Sequence, residues 1–211
     1  MATTPFQPLS WTLAPRRTAL VVIDAQNDFL HADGWYAKSG VDITHMQRSI
    51  GPTRQLVEAC RRSSVPVVWT RHGSRDARDA GSFIQLRPFL KEGGLRTGTW
   101  GYELLAELAP QPEDWFVEKN RLSAFFQTNL ELVLRSLHAD TVLICGVLTN
   151  QCVAATSKDA TFRDFRPMVV EEATGTTLPH LHAPAIEMMR VGWAEVVTLA
   201  AALSQLAALP R

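Results

Sequence analysis

Apolar positions along the chain follow two rhythms. Unbroken β-branched and apolar runs recur as TALVVID (Thr18–Asp24), VPVVWTR (Val65–Arg71), WFVEK (Trp115–Lys119), TVLICG (Thr141–Gly146), PMVVEE (Pro167–Glu172) and AEVVTLA (Ala194–Ala200). Short runs without polar alternation predict strands covered on both faces. Between them the spacing turns helical. Ile50, Leu56, Val57 and Ala59 predict a helix over about Arg48 to Arg62. Leu130, Val133, Leu134 and Leu137 predict another, with Thr128 as its N-cap. Further helices are expected from about Asn150 to Arg163 and near His182 to Val191. The stretch Arg71 to Phe83 reads as a polar loop. Residues 84–114 are broken by Gly93, Gly94, Gly98 and Gly101, with a short helix expected around Tyr102 to Leu108 and ended by Pro110 and Pro112.

Alternating strands and helices predict an α/β fold: a three-layer α-β-α sandwich around a six-stranded, mostly parallel, Rossmann-like sheet. No repeat, low-complexity tract or Pro/Ser linker interrupts it. One domain is therefore expected over residues 18–211, behind an irregular arm over 1–17 whose Phe6 and Trp11 are expected to pack on a neighbour.

Composition narrows the function. Lys+Arg and Asp+Glu both number 21 in 211 residues, so nothing calls for nucleic acid or an anionic membrane as partner. No apolar run approaches the ~20 residues of a membrane span. The N-terminal residues show no basic region followed by an apolar block, which predicts no secretory leader. The three cysteines, Cys60, Cys145 and Cys152, predict a reducing cytoplasm and no disulfide framework.

Ligands of open α/β sheets bind outside the carboxyl ends of the strands. There the chain places an acid, an ammonium and a thiol: Asp24, Lys119 and, past Gly146, Cys152. Singly, each has an ordinary reading as a turn cap, a solvated lysine or a packing thiol. Together they compose a nucleophilic site. A free thiol ionises only near roughly 8.5, and a helix N-terminus and an adjacent cation both favour the thiolate. Thr149 or Asn150 is expected to cap the helix that carries Cys152, Lys119 to supply the cation, and Asp24 to take the thiol proton and return it to the leaving group. First-turn N–H groups are suited to an oxyanion. Rival motifs are missing: DAQNDF stands where a dinucleotide fold has G-x-G-x-x-G, and no G-x-x-x-x-G-K-[ST] occurs. His180-x-His182 is the one pair that suggests a metal, and histidines near prolines at a helix entry are more often surface or capping residues. Cys60 and Cys145 read as structural.

The pieces VVIDAQNDF (Val21–Phe29), EKNRLSAFFQTNLELVL (Glu118–Leu134) and LICGVLTNQCVAATSKDA (Leu143–Ala160) resemble the isochorismatase-like cysteine hydrolases. The resemblance implies Asp24, Lys119 and Cys152 as catalytic residues. It further implies a cis Val147–Leu148 peptide, with the backbone N–H groups of Leu148 and Cys152 as the oxyanion hole. The branch that splits vinyl ethers typically lacks the cysteine. The nicotinamidase branch holds a metal through Asp-x-His, whereas Asp42-Ile43-Thr44-His45 is one residue too long. The resemblance thus implies no metal and no organic cofactor. It points to a small-molecule substrate among linear amides such as ureido acids and N-carbamoyl amino acids, cleaved through a thioester. GTWGYELLAELAPQPEDW (Gly98–Trp115) looks like ureidoacrylate amidohydrolases, which carry an aromatic residue where Leu122 stands. The alternatives are a vinyl-ether hydrolase, a nicotinamidase-like amidase and a non-catalytic protein that has kept the fold. By resemblance a homo-oligomer, dimer or tetramer, is expected. Gln26, Phe29, Trp35, Arg71, His72 and Arg121 are the candidate substrate-binding residues.

Overall fold

The structure, a computed structural model, describes residues 9–210. Six parallel strands form one sheet: β1 (Thr18–Ile23), β2 (Val67–His72), β3 (Trp115–Lys119), β4 (Thr141–Val147), β5 (Arg166–Gly175) and β6 (Glu195–Val197), in the order β3-β2-β1-β4-β5-β6. The helices longer than one turn are α1 (Ile50–Arg62), α2 (Leu130–Ser136), α3 (Ala154–Thr161), α4 (His182–Gly192) and α5 (Leu199–Ala207). No helix among the described residues is long and apolar enough to cross a membrane.

Successive side chains of a strand point to opposite faces, and that alternation divides the core. Leu20, Val22, Leu143, Cys145 and Met168 pack on one face with Leu56, Val57 and Cys60 of α1 and Leu206 of α5. Ala19, Val21, Ile23, Val142 and Ile144 pack on the other with Leu130 and Leu134 of α2, Ala160 of α3 and Met189 of α4. Sheet and two helical faces make three layers.

The elements depart from the pattern-based reading where local hydrogen bonds decide. The last strand stops at Val197, because Thr198 caps α5: its Oγ1 accepts the Ala201 N–H at 3.1 Å. The Ala- and Leu-rich stretch that follows is a helix. The segment Tyr102–Leu108 is no single helix. It holds 3₁₀ turns at Trp100–Tyr102 and Ala106–Leu108, with a bridge between Leu104 and Gln26 and a Leu105 N–H bond to Ala25 O at 2.9 Å. Pairing with the chain leaving β1 wins over a helical turn. Trp11 packs, partly buried, against this chain's own core, and the Leu13 N–H donates to Gln205 Oε1 at 2.9 Å. Phe6 lies outside the described residues.

Candidate active site

Strand order reverses direction between β1 and β4, and that switch point opens a crevice at the strands' carboxyl ends. Asp24 follows β1 at once. Its φ of 50° is left-handed and turns the chain sharply. Thr70 on β2 holds it from two sides: Thr70 Oγ1 accepts the Asp24 N–H at 3.1 Å and donates to Asp24 Oδ1 at 2.6 Å. Lys119 ends β3 and reaches across β2, so that its Nζ lies 2.7 Å from Asp24 Oδ2. The same ammonium donates to Arg121 O at 3.0 Å and Leu122 O at 3.1 Å, and stands 3.4 Å from Cys152 Sγ. Cys152 sits in a π turn, Thr149–Val153, between β4 and α3. Gly146 lets β4 pass close to β1: its φ is 106°, and a Cβ there would fall 2.1 Å from Ile23 O. The Val147–Leu148 peptide is cis.

The three groups are buried together, Asp24 and Lys119 with fully covered side chains and Cys152 at 2% exposure. Asp24 Oδ1 is engaged by Thr70. Among the described residues Oδ2 meets no hydrogen-bond donor in good alignment, so its contact with Lys119 is ionic. Burial pulls the Lys119 ammonium down, but the charges of Asp24 and Cys152 hold it above its ordinary value. The thiol goes the other way. Burial pushes Cys152 up to about 12, against the pull of Lys119 and with a further push from Asp24. With water excluded, the lost hydration outweighs the pull of one ammonium, so the thiol keeps its proton for a base to take. Nor does a side chain cap the turn. Thr149 Oγ1 lies 3.0 Å from His182 Nδ1, Asn150 Oδ1 accepts from Thr176 Oγ1 at 2.7 Å, and α3 begins only at Ala154.

The buried thiols carry a stability consequence. Ordinary thiols ionise near 9, whereas Cys145 and Cys152 keep their protons up to about 12, chiefly through burial. Over that window the folded chain binds more protons than the unfolded one, so stability is expected to fall as pH rises from about 9 towards 12. A urea-unfolding series across the window checks this. Cys145→Ala should flatten the slope, and a midpoint that stays level in the unmodified protein would count against it.

The other sequence-derived candidates separate by strand parity. His72 pairs with Lys119 and Arg71 with Glu118 across β2 and β3. His72 therefore joins the site, its Nδ1 4.0 Å from both Asp24 Oδ2 and Cys152 Sγ. Burial, reinforced by Lys119, holds its ring well below the ordinary histidine range, hence neutral. Arg71 falls on the opposite face, paired with Glu103 and Glu118 and stacked over Tyr102 and Phe116. Gln26 braces the site: it accepts from His72 N at 2.7 Å and donates to His72 O at 3.1 Å and Tyr102 O at 2.8 Å. Phe29 is buried against the Tyr36 ring, 4.7 Å away. Trp35 lies over Gly93 and Gly94 and donates to Phe89 O at 3.0 Å. Arg121 holds the loop above β3 through Asp79 O and Asn120 O. Sequence reasoning missed Thr70 and Tyr36. Tyr36 is buried close enough to Cys152 and Asp24 to feel both charges. Alternation along VVWTRH was the available signal for Thr70.

Among the described residues, one set of potential metal donors clusters: Asp24, His72 and Cys152, with ligand atoms within 4.8 Å of one another. Lys119 already places a cation against it, 2.7 Å from Asp24. The two histidine motifs meet each other. The His45 and His182 rings stand 4.8 Å apart, and His45 Nδ1 accepts the Thr176 N–H at 3.2 Å.

A family model described as "Isochorismatase domain" matches residues 18–201. The ureidoacrylate amidohydrolase RutB of Enterobacter sp. (strain 638) is 33% identical over 188 residues, 82% of each chain. Its counterpart in Agrobacterium fabrum is 33% identical over 186 residues, again 82% of each. Among solved structures, a cysteine hydrolase from Pseudomonas syringae pv. phaseolicola superimposes with a TM-score of 0.89 at 25% identity, over 98% of this chain and 100% of that one. N-carbamoylsarcosine amidase from Thermoplasma acidophilum gives 0.72 at 30% identity, over 87% and 96%.

Proposed function

Because the chain belongs to the isochorismatase family of hydrolases, we propose that it cleaves a C–N amide bond of a small ureido or carbamoyl compound through a Cys152 thioester. Relatives named ureidoacrylate amidohydrolase and N-carbamoylsarcosine amidase support the substrate class. One observation carries the mechanism. Asp24 Oδ2 is a buried carboxylate oxygen without an aligned donor, in the same closed site as a protonated thiol. It is the natural acceptor for the thiol proton as Sγ attacks the carbonyl carbon. His72 Nδ1 stands 4.0 Å from the same Sγ, but burial and the Lys119 charge hold its ring well below the ordinary histidine range and make it the poorer base.

Attack forms the S–C bond and moves the carbonyl electrons onto oxygen. The N–H groups of Leu148 and Cys152 receive that oxyanion. Asp24 returns the proton to the departing nitrogen, which leaves as an amine or ammonia with the thioester behind. Water, deprotonated by Asp24, then adds to the thioester, and the thiol leaves with the proton. Lys119 stays an ammonium throughout and favours whichever of carboxylate and thiolate carries the charge. A ureido substrate yields ammonia together with a carbamate, which decomposes.

Ammonia release from ureidoacrylate, N-carbamoyl amino acids, biuret, nicotinamide and maleamate tests the reading. The expected result is turnover confined to ureido or carbamoyl compounds and unchanged by a chelator. Turnover of none of them, or turnover lost with the chelator, overturns it.

A further inference from the structure

The turn that carries Cys152 is fastened from outside itself. Its two leading polar side chains are tied to the connection between β5 and α4. Thr149 is fully buried, and its Oγ1 shares a hydrogen bond of 3.0 Å with Nδ1 of His182, at the start of α4. Asn150 Oδ1 accepts from Thr176 Oγ1 at 2.7 Å, and the Thr176 N–H donates to His45 Nδ1 at 3.2 Å. The His45 and His182 rings lie 4.8 Å apart, so both ties end on one pair of histidines.

The backbone brings these groups together. Gly146 pairs with Thr174 and Val147 with Gly175, so Thr176 emerges from β5 beside the turn that leaves β4. Gly175 admits the His45 segment: a Cβ there would fall 2.6 Å from Met46 Cα and 2.8 Å from His45 O. A ring nitrogen that accepts an N–H carries no proton, so His45 is neutral, with its hydrogen on Nε2. Burial and then the Arg48 charge hold the His45 ring below the ordinary histidine range, and burial and then His45 do the same for His182. No acid opposes this. Among the described residues neither ring has a carboxylate within 4.0 Å. Asp42 is turned to the Thr44 N–H, His180 is exposed, and the first acid after His182 on α4 is Glu187. The turn itself brings one titratable group, the Cys152 thiol, which is protonated at rest.

We propose that His45 and His182 are positioning residues for Cys152, and that their hold on the nucleophile turn lasts only while His45 is unprotonated. This rests on Cys152 being the nucleophile of an amide hydrolase. A turn held at Thr149 and Asn150 fixes where Sγ points and where the Leu148 and Cys152 N–H groups stand. A displacement of about 1 Å at such a site costs about a hundredfold in rate. When His45 takes a proton, Nδ1 becomes a donor that faces the Thr176 N–H. That bond breaks, and Thr176 no longer anchors Asn150. Hydrolysis then fails on the acid side for a reason that lies outside Asp24, Lys119 and Cys152.

Variants of a tie and of the switch test this. With the fastest-cleaved amide of the panel above, Thr149→Val should lower kcat about tenfold to a hundredfold with KM little changed. Thr149→Ser, which keeps the hydroxyl, should regain most of the loss. His45→Gln retains an oxygen to accept the Thr176 N–H but cannot titrate. It should keep most of the neutral rate and lose the fall in kcat that the unmodified protein shows on acidification from about pH 8 to 5. A second readout needs no substrate: alkylation of Cys152 by iodoacetamide, located by peptide mass. The rate in the unmodified protein relative to that in His45→Gln should rise about tenfold towards the acid end, as the released turn uncovers the thiol. An acid fall unchanged in His45→Gln, a level alkylation ratio, or a Thr149→Ser protein as impaired as Thr149→Val overturns the proposal. If the ratio rises as expected but no amide is turned over, the hold on Cys152 stands and the functional reading fails.

Discussion

Cys152→Ser is expected to lower kcat for amide hydrolysis by about four to six orders of magnitude, with the fold intact. The argument rests on the proton. In the resting site the thiol is protonated, held up to about 12 by burial. Asp24 can still remove that proton because the thiolate forms within 3.4 Å of the Lys119 ammonium, which stays charged. A serine hydroxyl is several orders of magnitude less acidic than a thiol, so the same carboxylate cannot generate an alkoxide there at a useful rate. Serine is close to isosteric with cysteine, and thermal unfolding should move little. Ammonia release and an unfolding curve on the two proteins check both halves. Intact-mass detection of an acyl adduct on the unmodified enzyme, missing in Cys152→Ser, would place the thioester directly. Amide cleavage that persists in Cys152→Ala would mean that water attacks without a covalent intermediate, and the thiol would then be a packing residue.

The strands and the three central residues were legible because both are written in short local patterns. TALVVID and TVLICG are apolar without alternation, and a polar residue at the end of such a run must emerge at the carboxyl edge of the sheet. That reasoning reached Asp24, Lys119 and Cys152 without knowledge of strand order. It could not separate Arg71 from His72, since adjacent residues of one strand face opposite ways and the choice depends on which face β3 presents to Asp24. Thr70 shares the face of His72 and clamps the Asp24 carboxylate, yet a threonine inside a strand carries no mark of its own. Tyr36 arrives on a single helical turn, Trp35–Lys38, whose placement is set by distant hydrogen bonds, such as those from the N–H groups of Trp35 and Leu95 to Asp28. The final helix was missed because Thr198 reads equally well as a β-branched strand residue and as an N-cap. Only the chain's turn away from β5 decides between the two.

The resting protonation of the thiol also changes what Lys119 does, and a second variant tests this. Lys119→Met is expected to destabilise the fold by about 3–5 kcal/mol, since it leaves the fully buried Asp24 charge without its cation. The methionine fills most of the volume, so packing contributes little to the loss. Two carbonyls, Arg121 O and Leu122 O, lose their donor as well. Removing the orphaned charge should reverse much of the damage: the double variant Lys119→Met, Asp24→Asn is expected to be more stable than Lys119→Met alone, although it carries one more substitution. Neither should release ammonia, because the first lacks the cation that makes room for a thiolate and the second lacks the base too. Urea unfolding of the two single variants and the double one measures the coupling. If the double variant is no more stable than Lys119→Met, the pair is not held by charge. The ammonium's bonds to the two carbonyls would then carry its structural role, and its effect on Cys152 would have to come from position alone.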